Sequence, residues 1–212
     1  PYIYLITLWG GIFPTHLTIA RNLGNQFYPE HIGYASTIIS FYFFPFLLFK
    51  GKNLFPYVKK FFLKKYNYYL ILFFLIYIFY LLILSIFYDQ SSLNIENSVG
   101  KGFIHKFSII LFKDNFIFSE IFIYFSFLVS WLIILIFIDG NLKNGLILLY
   151  FFIVSILTTP LMQEYFDPLI LIIIFTFFNS KIFISYKNAM ILFIYLSIFL
   201  VGSNIYYFNL LN

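Results

Sequence analysis

Residues Tyr68–Tyr88 read YYLILFFLIYIFYLLILSIFY, a run without a charge, a proline or a glycine. A helix needs about 20 apolar residues to cross the hydrocarbon core of a bilayer. Backbone in lipid finds no water, so its N–H and C=O groups must pair within their own segment, which selects a helix. A membrane β-barrel would show short strands that alternate apolar and polar residues. The run has no such alternation, so it predicts a transmembrane helix. Other segments repeat the pattern on either side. Ile32–Phe49 is a span of near-minimal length with Pro45 as a kink, and Phe116–Ile138 is as clear as the first. Gly145–Met162, Pro168–Ile184 and Ala189–Phe208 follow, and Pro1–Phe13 reads as the end of one more span. The expected fold class is all-α, a polytopic transmembrane helical bundle forming a single domain over 1–212. Phe103–Phe112 is apolar but too short to cross, and predicts a short interfacial or re-entrant helix. The chain opens inside an apolar segment and without Met, which predicts an N-terminally truncated fragment.

Composition agrees with a lipid bilayer as the medium. Of 212 residues, 62% are hydrophobic and 10% charged, whereas a soluble domain is about 25% charged. Phe (33) and Tyr (19) dominate, and Ala occurs only at Ala20, Ala35 and Ala189. These are the residues of AT-rich codons, so the aromatic excess reads as compositional bias and not as a binding surface. Without Cys, disulfides, thiolate chemistry and Cys-based metal sites are excluded. The net charge of +5 comes largely from one loop. It reports topology and not a nucleic-acid partner.

That loop is Lys50–Asn67, with Lys50, Lys52, Lys59, Lys60, Lys64 and Lys65. Positive charge in short loops stays cytoplasmic. Counting spans outward, Asp139–Asn144 and Ser180–Asn188 are then cytoplasmic, with Lys143, Lys181 and Lys187. His16–His31, Asp89–Asn115 and Gln163–Asp167 fall on the opposite side. All three histidines (His16, His31, His105) and the single arginine, Arg21, go with them. A chemical site is therefore expected at the non-cytoplasmic mouth of the bundle.

Three groups there carry candidate chemistry. Glu164 and Asp167 lie between Pro160 and Pro168 in TTPLMQEYFDP, the connection between two apolar segments. Carboxylates near hydrocarbon are costly and face a bundle interior or a wet cavity. They can accept hydrogen bonds from sugar hydroxyls, pair with a cation or act as a base. Asp167 before Pro168 equally suits a helix cap, and Glu164 a solvated turn. Gly100-Lys101-Gly102 with His105 and Lys106 lets backbone approach a ligand closely and supplies cations for a phosphate. A basic loop touching anionic headgroups is the alternative. In the third group, Arg21 can grip phosphate bidentately, with His16 nearby in sequence. Trp9 reads as an interfacial anchor and His31 as an interfacial capping residue. Apart from Lys181 at the cytoplasmic end of 168–184, Glu120 is the only strong charge inside a span. The histidines lack metal-ligand spacing, so no metal site is expected, and neither a P-loop nor a nucleophile elbow is present.

Three segments together resemble a known family. Trp9-Gly10-Gly11-Ile12 precedes a polar loop and then a span containing Ile39-Ser40-Phe41-Tyr42-Phe43-Phe44-Pro45-Phe46. Gly102-Phe103-Ile104-His105-Lys106 opens a short apolar run that ends Lys113-Asp114-Asn115. Leu161-Met162-Gln163-Glu164-Tyr165-Phe166 comes late. In this order they resemble the C-terminal half of the polytopic glycosyltransferases of the GT-C class. Within that class they are similar to the alpha-1,2-glucosyltransferases that use dolichyl-phosphate glucose. The late segment lacks the family's arginine before Tyr165. The resemblance implies a hexosyltransferase that moves a sugar from a polyprenyl-phosphate donor to an acceptor glycan or protein at the non-cytoplasmic face. It also implies a key catalytic acid in the N-terminal half, outside this chain, so no catalytic residue is nominated.

Under this reading Arg21, Lys101 and Lys106 would meet the donor phosphate. His16 and His105 would donate hydrogen bonds, and Glu164 would orient sugar or acceptor hydroxyls. The rival readings are a transporter or flippase for a lipid-linked or polar solute, and a non-catalytic subunit of a membrane complex.

Overall fold

In a computed structural model the described residues are 29–49, 53–87, 102–112, 115–138, 141–157, 167–178 and 185–211. They form helices and no strands. In chain order these are α1 (Glu30–Leu48), α2 (Leu54–Phe62), α3 (Lys65–Phe87), α4 (Gly102–Phe112), α5 (Phe116–Ile138), α6 (Leu142–Leu157), α7 (Asp167–Thr176) and α8 (Tyr186–Leu211). α1, α5 and α8 are each long and apolar enough to cross a membrane. α2 and α3 meet that criterion as a pair, with a bend of 82° between them. The expected segment 1–13 and most of the loop 16–31 lie outside the described residues.

The helices are arranged around α1. Of its apolar stretch 78% is buried, against 33% for α5 and 0% for α8. The sequence of its first half, with Gly33, Ala35, Ser36, Thr37 and Ser40, explains why. Lipid does not drive apolar helices together, so close approach is won by small side chains. Gly33 sits directly against the ring of Phe127 on α5, and a Cβ there would lie 2.3 Å from the ring carbons. The buried hydroxyls are satisfied within the helix. Ser36, Thr37 and Ser40 donate to the carbonyls of Gly33, Tyr34 and Thr37 at 2.6, 2.7 and 3.0 Å.

Cross-helix contacts set the directions. Tyr34 packs on Phe127, and nine residues further along α1 Phe43 stacks on Phe137 at 4.2 Å, so α1 and α5 run parallel. His31 meets Ser155 near the end of α6, and Tyr77, well along α3, meets Pro29 and Gly33. α3 and α6 are therefore antiparallel to α1. Their outer faces are strongly apolar. Phe73, Ile76 and Phe79 on α3, and Phe193, Ile198 and Leu200 on α8, are exposed. Soluble monomers rarely expose contiguous apolar faces of this kind, whereas lipid solvates them.

Two features differ from the sequence reading. The loop Lys50–Asn67 contains a helix, α2. Its Leu54, Tyr57, Val58 and Phe61 recur at helical spacing and pack on Leu47, Leu135 and Ile136 at the ends of α1 and α5. Pro56 falls in the first turn, where its missing N–H costs nothing. The second difference lies in 168–184. Helix α7 is only 10 residues long, and the N–H groups of both Phe177 and Phe178 close on the Ile173 carbonyl, ending it there. The short apolar run 103–112 is a helix, α4, packed into the bundle: Ile104, His105 and Ser108 face inward, Phe103 meets Phe41 on α1, and Phe112 meets Phe118 at the start of α5.

Candidate functional site

Four of the ten buried polar residues among the described ones, His31, Ser36, Thr37 and Ser40, lie in the first turns of α1. Tyr77 on α3 fastens this end: its hydroxyl donates to the Pro29 carbonyl at 2.6 Å and accepts from the Gly33 N–H at 3.1 Å. The Pro29 carbonyl also accepts from the Ile32 N–H at 3.3 Å, so the Tyr77 hydroxyl braces the first turn of the helix from a neighbouring element. On the next face His31, 5% exposed, places Nδ1 3.2 Å from the Ser155 carbonyl on α6. A carbonyl only accepts, so Nδ1 carries the proton. His31 thus joins two helices, where the sequence alone suggests an interfacial cap.

Tyr34 projects one turn further in. Its ring meets Phe127 edge-on at 5.0 Å and the His105 imidazole edge-on at 6.2 Å. Tyr124 on α5 packs edge-on against the same Phe127 ring at 5.9 Å. His105 is 5% exposed on α4. The next turn of α4 is tied to α5 by Ser119, whose hydroxyl bonds that of Ser108 at 3.0 Å. Ser108 in turn donates to the His105 carbonyl. Gly102 opens α4 at φ 70°, in the left-handed region that favours glycine, with Ile38 packed beside it. Lys106 follows His105 and is half-buried. Glu120 stands on α5, with Oε1 buried and without a hydrogen-bond partner among the described residues.

Of the residues nominated from sequence, His105 is brought into this cluster, and Lys106 lies beside it on α4. His16, Arg21, Lys101 and Glu164 lie outside the described residues, as does most of TTPLMQEYFDP. Asp167 is the first residue of α7. Among the described residues no three histidines or carboxylates converge as a metal-ligand set. Tyr34 and Tyr77 escape a sequence reading because 19 tyrosines conceal them. The useful signal was position: Tyr34 lies in the stretch of small residues that makes α1 central. Chemically, the cluster combines carboxylates, imidazoles and phenols around aromatic faces. Such groups accept and donate hydrogen bonds to hydroxyls.

In comparison with known proteins, no family model matches the chain, and no curated protein or solved structure matches it. What the fold itself defines is a class: an all-helical chain, over its described residues, whose apolar helices are those of a membrane protein.

Proposed function

We propose that the chain is a multi-pass membrane glycosyltransferase unit, moving a sugar from a polyprenyl-phosphate carrier to an acceptor at the non-cytoplasmic face. The observation that carries the reading is the grouping of polar side chains about the first turns of α1: Tyr34 meets the His105 ring at 6.2 Å, the Tyr77 hydroxyl bonds the Gly33 N–H and the Pro29 carbonyl, and the neighbouring α5 buries a Glu120 oxygen. It lies at the end of α1 opposite the lysine-rich segment that marks the cytoplasmic side. A lipid-tailed donor enters between helices, and its phosphate needs cations close to hydroxyl-binding groups. Lys106 on α4 supplies one, and Arg21 and Lys101 are the further candidates, with His16 and Glu164. The antiparallel order of α1 with α3 and α6 supports the alternating topology this requires. The test is sugar transfer by the full-length protein in membranes, from a polyprenyl-phosphate hexose. Glu164→Gln, Arg21→Ala and Lys101→Ala are compared with the parent, and unchanged transfer in all three sinks the reading.

One observation favours the transporter as a second reading. Glu120 holds a buried oxygen without a partner among the described residues, and acids set in apolar helices mark transport paths. Solute uptake by proteoliposomes without any donor sugar, lost in Glu120→Gln, would select it.

A further inference from the structure

We infer that α2 is a docking surface for anionic phospholipid headgroups. Its inner face is accounted for by packing on Leu47, Leu135 and Ile136, and the Tyr57 hydroxyl fastens it to the Ile136 carbonyl at 3.1 Å. Because Leu47 and Ile136 end α1 and α5, α2 lies across the ends of those helices. It turns by 82° into α3. The outer face is what needs a partner. Phe55 is 79% exposed and Leu63 74%, and Lys59 and Lys60 are exposed among them. Water disfavours the first pair and hydrocarbon the second. The boundary between headgroups and acyl chains suits both, with rings in the acyl region and ammonium groups reaching phosphate.

Charge selects the headgroup. Lys59 and Lys60 complement the helix C-terminus, but that accounts for only part of the pattern. Between Glu30 and Asp89 the sequence holds six lysines and no acid. A basic stretch without counter-charges at a bilayer surface attracts anionic lipid, about fivefold per lysine. The inference is independent of any sugar transfer at the other end of α1.

The chain has no Cys, so Phe55→Cys gives a single labelling site for an environment-sensitive fluorophore. The labelled chain is reconstituted in nanodiscs of phosphatidylcholine and phosphatidylglycerol, with bromine quencher on one lipid or the other. Brominated phosphatidylglycerol is expected to quench at least about twice as strongly at equal mole fraction. The excess should disappear in K59Q/K60Q and persist in K59R/K60R. Equal quenching by both lipids overturns the inference, as does an excess that survives K59Q/K60Q. Absence of quenching by either lipid places the face in water, against a soluble partner or a second copy, and overturns it too.

Discussion

The hydroxyl of Tyr195 on α8 donates to the carbonyl of Phe41 on α1 at 3.1 Å. Pro45 lies four residues after Phe41 and has no N–H, so that carbonyl lacks its helical partner. In lipid it would have no water either, and a neighbouring helix supplies the donor. The Phe41 ring reinforces the junction, meeting Tyr195 at 5.0 Å and Phe199 at 4.5 Å. Since α8 is otherwise outward-facing, this pair is the polar link that holds it to α1.

Replacing Tyr195 by Phe should therefore cost about 1 kcal/mol, as removal of a donor to a buried carbonyl does. Thermal unfolding in detergent would shift down by about 2–4 °C. Pro45→Ala restores the helical N–H, so Tyr195→Phe should be nearly neutral in that background. Equal effects in both backgrounds would show that the hydroxyl does not serve the proline.

Gly33→Ala is expected to be among the most damaging single-methyl changes in the chain. Its Cβ would overlap the Phe127 ring, and overpacking of this kind costs about 1–3 kcal/mol. Phe127→Leu should recover part of the loss. Gly145 and Gly202 have nothing within 4 Å of an added Cβ, so Ala at either should be neutral or stabilising by up to about 1 kcal/mol. Melting temperatures of the four variants decide this.

Tyr77→Phe removes one hydroxyl that serves both the Pro29 carbonyl and the Gly33 N–H. A loss of about 1–2 kcal/mol is expected. Hydrogen exchange should accelerate at the first turn of α1 and be unchanged at the lysine end of α3. Uniform acceleration would mean that Tyr77 supports packing generally and not the helix start.

Glu120→Gln separates stability from function. A carboxylate oxygen buried without a hydrogen-bond partner among the described residues is costly, so neutralising Glu120 should raise the melting temperature. If Glu120 meets substrate, sugar transfer or solute uptake should fall by about tenfold or more, the loss of roughly one strong hydrogen bond. A lower melting temperature with full activity would make it a structural group.

The site was legible only in part. His105 and Glu120 stood out because an ionisable group in an apolar run is conspicuous. His31 was visible, but its partner is a backbone carbonyl 124 residues away, which no local pattern encodes. Tyr34 and Tyr77 were hidden because tyrosine is common here and its role depends on which face of a helix it occupies.

By itself the sequence determined the apolar character of the chain and its long helices, though not α2 or the end of α7. Hydropathy is additive along a segment and backbone pairing in lipid is local, so Phe116–Ile138 could be read to the residue. Which helix is central was decided by tertiary structure alone. α1 is the least apolar of the three long span candidates and yet the most buried. In water, burial follows hydrophobicity. In lipid, apolar faces such as those of α3 and α8 are already solvated, and the centre goes to the helix whose glycine, alanine and hydroxyl side chains let backbones approach. The same physics turned Pro45 from a kink into the place where Tyr195 attaches α8.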